Sequence, residues 1–586
     1  MSSTQKPTQS QAAGLNLLLW SDDKKGPALE NPLPNEVTSK GKLEKAPSEP
    51  DHLWDEGGDP NALHRQRWGV IVPQGAAGKR LLEIAKPLID LRQQQQGGKP
   101  VKTYECPPQL DMAQAALWRK QNLDTGTDLK LELPRYQLIL GNLDQVPLSI
   151  QQVQQSDGFV GRLAFDNEQG YEAYIAKVIK AETTPSTQAD ARLLFYTVHD
   201  GTSATFAGHQ ALIEPGVALA QKYKDRGDFA AREVLKLGNE AFPDPQELLQ
   251  LTNMSEPGLL FSLSHGLGLP KTEWRTEAEQ RLRQGAMSFG RQYITASDIA
   301  NRPFLPGGIW FMLACFGAGT PDVSSYRHWL QSLREVGQFG DGVDSVLRCL
   351  PNDKDRPFIA ALPQAALANP NGPLAFMGHV DLAWTWSFQE RDTGQALARP
   401  AKFINIMWSL LKGDRAGVSF RELMIYFGST NTELTSLYDR AAAQASMGLG
   451  VQAGAKDPDQ ARRGHLWMLR QDLAGYILLG DPAVRLPLMA PAPFVMPATP
   501  TQAVAQAAVT SPKLSAQSDA EARAALGMAP PAALPIDLEN LEEAIAHLTL
   551  GESLNELATK YKIDRVDLKR LAKIYTEGGR NALKNR

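Results

Sequence analysis

Gly258-Leu-Leu-Phe-Ser-Leu-Ser-His265-Gly266 and Gly308-Ile-Trp-Phe-Met-Leu-Ala-Cys315-Phe-Gly-Ala-Gly319 are the two stretches that decide the predicted fold. In each, an apolar run of strand length ends at a reactive side chain that is followed closely by glycine. Such runs are typical of buried parallel strands, whose carboxyl ends meet at one edge of a sheet. Open α/β folds place their sites at that edge. The sequence therefore predicts a thiol, Cys315, beside a base, His265.

The composition is that of a large globular protein. The chain has 586 residues, of which 42% are hydrophobic, a formal net charge of −4 and a pI of about 6.2. This balance does not favour binding of the whole molecule to nucleic acid or membranes. Three cysteines are too few for a disulfide framework and favour a reducing compartment. We find no signal-peptide pattern and no run of 18 apolar residues, and we expect a cytoplasmic protein.

Composition also divides the chain. Residues 1–66 are polar and rich in Pro, Ser, Lys and Asp, so we expect a disordered amino-terminal segment. Within it, Leu15-Asn-Leu-Leu-Leu-Trp20 is a lone apolar block, which is either a strap packed on the main domain or a docking or inhibitory motif. Residues 67–185 and 186–488 are expected to form two α/β subdomains. A Pro/Ala-rich linker, 489–535, and a small helical module, 536–586, follow.

Strand patterns alternate with helical patterns through both expected subdomains, which predicts a mostly parallel sheet flanked by helices. Examples are the strand at Trp68–Val72 and the helix from about Glu168 to Glu182. Helical patterns are predicted through about 207–251. After the cysteine strand, Thr320-Pro321-Asp322 is typical of a helix start. The positive end of that helix would favour the thiolate of Cys315.

Five short motifs together resemble the gingipain-type cysteine peptidases of the caspase-like clan. They are Leu138-Ile-Leu-Gly141-Asn-Leu-Asp-Gln-Val-Pro147, Ser156-Asp157-Gly-Phe-Val-Gly161-Arg162-Leu163, Ser264-His265-Gly266, Ala314-Cys315-Phe-Gly and Gly480-Asp481-Pro482-Ala. They occur in the order and rough spacing of that family, over about residues 68–488. The resemblance implies two caspase-like α/β subdomains, of which the second carries the catalytic residues.

By the same resemblance Cys315 is the nucleophile and His265 the base of an endopeptidase that forms a thioester acyl-enzyme. The backbone amides of Gly266 and Cys315 are the expected oxyanion hole. Glycine at 266 would let the substrate backbone approach without a Cβ in the way. Asp200 matches the family's acidic residue near the histidine, where it would orient the imidazole. Its alternative role is a turn residue that caps the chain before Gly201.

The substrate preference is left open by departures from the family pattern. The segment 202–210 lacks the acid on which specificity for basic residues depends, and Glu214 could replace it only with a small gap. Trp384 or Trp386 falls where the family has a tryptophan lining the pocket, so an apolar wall is expected unless these rings serve only the core. No metal-ligand spacing is present, and no cofactor is expected.

The carboxyl-terminal module resembles the helix-turn-helix of transposase-type proteins. Ser553-Leu-Asn-Glu556 is a capping box. The sequence from Lys560 onward contains nine Lys or Arg and three Asp or Glu. Nucleic acid could be contacted by four residues of the third helix: Arg565, Lys569, Arg570 and Lys573. Residues 535–559 carry six acids and no Lys or Arg, so docking of a protein partner is an equal alternative.

Three functions are consistent with these features. The first is a bacterial, intracellular cysteine endopeptidase that is held latent and is switched by a partner, by nucleic acid or by self-cleavage in the linker. The second is a non-catalytic scaffold with a peptidase fold that binds a peptide or protein without cutting it. The third is a DNA-bound regulator in which the carboxyl-terminal module dominates.

Overall fold

The fold is known from a computed structural model that describes residues 15–34, 59–123, 133–254, 256–337, 340–351, 355–390, 397–447, 457, 459–489 and short stretches between 541 and 571. The chain divides into two compact units, Met1–Ala492 and Pro493–Arg586. In the second unit the described secondary structure includes the helix Leu554–Lys560. The candidate site lies in the first unit.

A ten-stranded sheet forms the centre of the first unit. In chain order its strands are β1 (Trp68–Pro73), β2 (Lys102–Cys106), β3 (Tyr136–Leu140), β4 (Phe159–Leu163), β5 (Ala191–Thr197), β6 (Ala231–Leu237), β7 (Gly258–Leu263), β8 (Ile309–Leu313), β9 (Ala375–His379) and β10 (Tyr476–Leu479). Their spatial order is β2-β1-β3-β4-β10-β9-β8-β7-β5-β6. Most of these strands are buried along their whole length, as their continuous apolar runs predict.

The sheet consists of two parallel halves. Neighbouring strands are parallel from β2 to β10 and again from β9 to β6. Between these ten described strands the one antiparallel pairing joins β9 to β10. The predicted α/β class with a mostly parallel sheet is therefore confirmed. The last strand of the chain's main unit, β10, pairs with β4 of the first half, so the two halves share one continuous sheet.

Helices cover the sheet. The helix Glu168–Thr183 begins where the Asn167 side chain accepts the amide of Gly170, and it buries Tyr171, Tyr174 and Val178. The other α-helices of the first unit are Leu63–Gln66, Ala76–Gln95, Met112–Asn122, Leu148–Gln154, Ser203–Gly208, Glu214–Asp225, Pro245–Leu251, Glu277–Arg283, Ala296–Ile299, Arg327–Glu335, Gly340–Cys349, Ala361–Ala368, Ala401–Leu411, Ala416–Ser446 and Gln460–Ala474. No helix in the described ranges has the length and apolar character needed to cross a membrane.

Two strands of the ten-stranded sheet were missed from the sequence, and both are edge strands. β2 was not recognised, and β6 lies inside the region 207–251 for which only helices were expected. The charged residues of these strands, such as Lys102 and Glu233, suit a strand with one open edge but obscure the apolar pattern.

A buried ionic network ties the end of β10 to the first half of the sheet. Asp481 is fully buried and pairs with Arg92 at 2.7 Å, while Arg92 also contacts Glu182 at 3.1 Å. The indole nitrogen of Trp68 donates to the other carboxylate oxygen of Asp481 at 3.0 Å. Each charge in this interior group has hydrogen-bonding partners, as burial requires.

Within the segment for which disorder was expected, residues 15–34 and 59–66 have defined structure. Residues 15–34, called the strap below, enter a small five-stranded sheet through Leu19–Ser21 and Gly26–Pro27. Its other strands are His265–Gly268, Met287–Ser288 and Tyr293–Ile294. Leu15, Leu17, Leu18 and Leu19 are all buried. Each buried leucine stabilises the folded state by about 1.5–3 kcal/mol, which offsets the entropy lost when this polar segment becomes ordered.

Candidate active site

The register of three strands brings the proposed catalytic residues to one edge of the sheet. Thr197 of β5 is aligned with Leu263 of β7, and Leu263 with Leu313 of β8. Asp200, His265 and Cys315 follow these aligned positions by two or three residues, so all three emerge at the same carboxyl edge.

Two backbone amides of this edge converge on one carbonyl oxygen. The N–H of Gly266 donates to the carbonyl oxygen of Leu18 at 3.0 Å, and the N–H of Cys315 donates to the same oxygen at 3.2 Å. Two fixed N–H donors that point at one oxygen are the arrangement that stabilises the oxyanion of a tetrahedral intermediate. The sequence suggested this pair of donors; it gave no indication that Leu18 of the same chain would occupy them.

The thiol of Cys315 is buried. Its sulfur accepts the N–H of Ala383 at 3.2 Å and lies 3.6 Å from the Ala383 carbonyl oxygen. Burial raises the pKa of Cys315 well above its ordinary value, while backbone hydrogen bonds from Ala383 and Leu18 act in the opposite direction. Burial under the strap therefore favours the neutral thiol over the thiolate.

The expected helix start beside Cys315 is wrong. Gly319–Thr320 is a short strand paired with Phe358–Ile359, and the next helix begins at Arg327. Thr320 itself pairs with Phe358, and this strand pairing overrides the local capping pattern. The helix dipole that was expected to lower the pKa of Cys315 is not located at Thr320.

The imidazole of His265 is buried beside the same carbonyl group. Its Nε2 lies 2.9 Å from Oγ1 of Thr202 and 3.7 Å from Oδ2 of Asp200. Its Nδ1 has no hydrogen-bond partner among the described residues. Burial lowers the pKa of His265, whereas the Asp200 carboxylate and the backbone of Leu18 raise it. No direct hydrogen bond joins His265 to the sulfur of Cys315 in the described part of the chain, and both contact the backbone of Leu18.

Asp200 organises the turn that follows β5. Its Oδ1 accepts the N–H and the hydroxyl of Thr202 at 3.1 and 2.8 Å, and the hydroxyl of Thr205 at 2.7 Å. The contact with Thr202 is the capping turn that was the alternative role for Asp200. The two roles coexist. The Thr202 hydroxyl that Asp200 holds also contacts the ring of His265, and Oδ2 of Asp200 faces the same ring.

Glycine is required at 266 for a reason that differs from the expected one. A Cβ at this position would lie 1.8 Å from the carbonyl oxygen of Cys315. The crowding atom belongs to the loop that carries the nucleophile and not to the bound peptide. Gly266 thus allows the two oxyanion-hole segments to pack against each other.

A loop after β9 supplies the other side of the cleft; the sequence singled out its two tryptophans but not Ala383. Ala383 holds the Cys315 sulfur and accepts the N–H of Leu18 at 3.3 Å. Buried Asp472 fixes this loop by accepting the N–H groups of Trp384 at 2.9 Å and Ser387 at 3.0 Å. Burial raises the pKa of Asp472 to about 8. Backbone contacts of this kind have no side-chain signature, which is why Ala383 was missed.

The two tryptophans expected in the substrate pocket have different positions. The backbone of Trp384 forms a β-bridge with Leu17 of the strap, while its ring packs edge-on against Tyr326 and Trp329. The indole nitrogen of Trp386 donates to the carbonyl oxygen of His465 at 2.9 Å, and its ring is buried. The described contacts of both rings are those of core packing.

Glu214 lies at the surface, where its described partners are Lys236 at 3.2 Å and His209 at 3.4 Å. These contacts occupy its carboxylate with an exposed lysine and a buried histidine. His209 also belongs to a group with His199 and Glu240 whose potential ligand atoms lie within 4.8 Å of one another.

The four residues expected to contact nucleic acid, Arg565, Lys569, Arg570 and Lys573, lie outside the described residues. Residues 490–535 of the linker 489–535 also lie outside the described residues.

Comparison with known proteins gives similarity of fold. No protein-family model matches the chain, and no curated protein matches it. Gingipain R, an arginine-specific cysteine proteinase, has a TM-score of 0.41 at 12% identity, over 74% of this chain and 80% of that chain. A structure described as a protease gives 0.40 at 12% identity, over 72% and 78%. The complex of the pro- and mature domains of a Porphyromonas gingivalis gingipain gives 0.39 at 12% identity, over 71% and 79%. At this identity the similarity assigns no residue a role.

Proposed function

We propose that this protein is a cysteine endopeptidase in which Cys315 is the nucleophile and His265 the general base. The observation that carries the proposal is the convergence of the Gly266 and Cys315 amides on the carbonyl oxygen of an extended peptide segment. An acyl-transfer site needs these donors on the oxygen that becomes negatively charged, and it needs a thiol and a base beside the same carbonyl.

The reaction begins when the proton of the Cys315 thiol passes to His265 and the sulfur attacks the carbonyl carbon. The C–S bond forms, and the negative charge on the oxygen is held by the Gly266 and Cys315 amides. Collapse of this intermediate breaks the C–N bond, and the imidazolium of His265 gives its proton to the leaving amine. Water, deprotonated by His265, then hydrolyses the thioester and releases the acid and the free thiol.

Asp200 and Thr202 are positioning residues in this proposal. The Thr202 hydroxyl contacts Nε2 of His265 and is itself held by Asp200, so the ring keeps Nδ1 free for the proton transfers. The carboxylate of Asp200 also stabilises the imidazolium that forms during the reaction.

A thiol-reactive peptide ketone and a peptide library test the proposal. We expect cleavage of library peptides and covalent labelling at Cys315, with both lost in Cys315→Ala. Cys349→Ala is the matched control, because Cys349 is also buried but lies at the end of a helix away from the strand edge. Equal cleavage by wild type and Cys315→Ala would refute the assignment.

A non-catalytic scaffold is the second candidate, and the neutral thiol held by Ala383 favours it. In this function the cleft binds a peptide permanently without cutting it. Absence of both cleavage and labelling in a variant whose strap is displaced would support the scaffold.

The module 536–586 is proposed to bind DNA or a protein partner. Filter binding of duplex DNA at several salt concentrations, with the full chain and with a chain ending at residue 535, tests this. Affinity that falls steeply with salt and is lost on truncation supports DNA binding; affinity that is unchanged by truncation contradicts it.

A further inference from the structure

The strap passes through the candidate site in the manner of a bound substrate. Leu17 forms an antiparallel bridge with Trp384, and the Leu18 N–H donates to the carbonyl oxygen of Ala383 at 3.3 Å. One residue pair further, the Thr385 N–H donates to the Asn16 carbonyl oxygen at 3.3 Å. Peptides that add a strand to an exposed backbone segment are recognised in this way, with affinity from main-chain bonds and specificity from alternate side chains.

Leu18 stands at the reacting position. Its carbonyl oxygen receives both oxyanion-hole amides, its backbone contacts the Cys315 sulfur and the His265 ring, and its side chain is completely buried. The residue that supplies the attacked carbonyl is the one that fills the main specificity pocket. An apolar side chain of medium size fills that position here.

The chain continues across the site without a break. Leu19–Ser21 pairs in parallel with Gly266–Gly268, and the Leu19 side chain lies so close to Gly268 that a Cβ there would be 2.4 Å from its Cδ1. The ring of Trp20 lies 6.2 Å from that of His265. Both sides of the Leu18–Leu19 bond are therefore held, as cleavage of an extended segment requires.

We propose that the Leu18–Leu19 peptide bond is the first substrate of this site, and that the site prefers leucine before the cleaved bond. The inference rests on the proposed peptidase function. The Cys315 sulfur attacks the Leu18 carbonyl carbon, the Leu19 amine leaves with a proton from His265, and water hydrolyses the Leu18 thioester. The balance is one water consumed and one carboxylate and one ammonium formed.

Cleavage would open the cleft by itself. The intact strap presents a neutral peptide bond to a buried site, whereas the products are a Leu18 carboxylate and a Leu19 ammonium in the same place. Burial of such charges is costly, so the new ends leave the cleft and it becomes accessible to other substrates. Before the cut, the strap covers the site and the enzyme is latent.

Intact-mass and amino-terminal sequencing of the full chain over time test the proposal. We expect a species that begins at Leu19 in wild type and no such species in Cys315→Ala. Leu18→Asp should abolish this cut, because a carboxylate would replace a buried leucine, while Leu18→Met should retain it. Lys24→Ala, in the exposed turn of the strap, is the matched control and should cut like wild type.

A peptide assay separates this inference from the proposed function. The fluorogenic peptide Leu-Asn-Leu-Leu, matching residues 15–18, should be cleaved with a kcat/KM at least ~100-fold above its counterparts ending in Lys or Asp. Cleavage of the Lys or Asp peptide with the Leu18–Leu19 bond intact would overturn the inference and leave the peptidase standing. The inference would also be overturned if the wild-type strap is never cut and Cys315 reacts with the peptide ketone only in the Leu18→Asp variant. Failure of Cys315 labelling and of all cleavage, Leu18→Asp included, would instead refute the peptidase.

Discussion

The carbonyl oxygen of Cys315 lies where the Cβ of any residue other than glycine at 266 would have to be, at 1.8 Å. Two strands that end level with each other, β7 and β8, thus bring the backbone of Gly266 directly against that of Cys315. The positions of the two oxyanion-hole amides therefore depend on glycine at 266.

Gly266→Ala should therefore separate the two amides. We expect kcat to fall by ~10²–10³, the typical cost of losing one oxyanion-hole donor. Strain in the packed strand ends should lower the free energy of unfolding by about 1–3 kcal/mol. Peptide cleavage and urea unfolding measure both effects. Gly428→Ala is the control, since a Cβ at Gly428 meets no atom within 4 Å, and it should leave kcat unchanged.

Thr202→Val should weaken the orientation of His265. The valine keeps the shape of threonine but removes the hydroxyl that contacts Nε2 at 2.9 Å. We expect kcat to fall by about 10-fold or more, with KM little changed, because the hydroxyl positions the base and does not hold the substrate. Thr202→Ser keeps the hydroxyl and should recover most of the rate. Equal rates for the valine and serine variants would contradict this role.

The uncut chain should contain no fast-reacting thiol. Burial raises the pKa of Cys106 and Cys349 to about 12 and that of Cys315 well above its ordinary value. His265→Ala keeps the strap uncut, so titration with a disulfide reagent at pH 8 should show slow reaction of all three cysteines in this variant. Adding Leu18→Asp should make one cysteine, Cys315, react at least ~10-fold faster. A fast thiol in His265→Ala alone would mean that the strap does not cover the site.

Asp472 should contribute a loss of stability as the pH rises from 6.5 to 8. Burial raises its pKa to about 8 from an ordinary 3.8, so the folded chain holds a proton that the unfolded chain has lost. A carboxyl group of this kind stabilises the fold fully below pH 4, and its contribution is lost as the pH rises through 8. The slope is at most ~1.4 kcal/mol per pH unit for one proton.

Asp472→Asn should remove this contribution in denaturant unfolding, so the free energy of unfolding should rise more, or fall less, with pH in the variant than in wild type. The difference between the two proteins is the measurement, because other buried groups act with the opposite sign in this window: burial lowers the pKa of Lys177 to about 7, and a buried histidine titrates near 6.5 once the chain unfolds. Burial lowers the pKa of His379 to about 4 and raises that of Asp381 to about 6. An unchanged slope in the asparagine variant would show that another group is responsible.

Central strands were predictable from the sequence because both of their faces are apolar. β7 and β8 are apolar runs that end at His265 and Cys315, and the register of β7 with β8 brings those ends together. The two edge strands were missed because an open edge tolerates charged residues. The helix predicted at Thr320 was wrong because pairing across the chain overrode a local capping pattern.

The residues that contact His265 and Cys315 show the same limit of prediction from sequence. Asp200 could be suggested from its position after a strand, but its link to His265 through Thr202 depends on side-chain geometry that a sequence does not contain. Ala383 and Leu18 act through their backbone atoms, and any residue has those atoms. For such contacts, only the arrangement of the folded chain identifies the residue.

The antiparallel pairing of β9 with β10 also sets the order in which the protein can be completed during synthesis. β4 and β9 are separated by one vacant position until residues 476–479 have left the ribosome and filled it. A nascent chain that stops earlier exposes two long unpaired strand edges, which are templates for aggregation. Premature termination just before Tyr476 should therefore yield insoluble fragments, whereas loss of residues beyond 492 leaves the sheet whole.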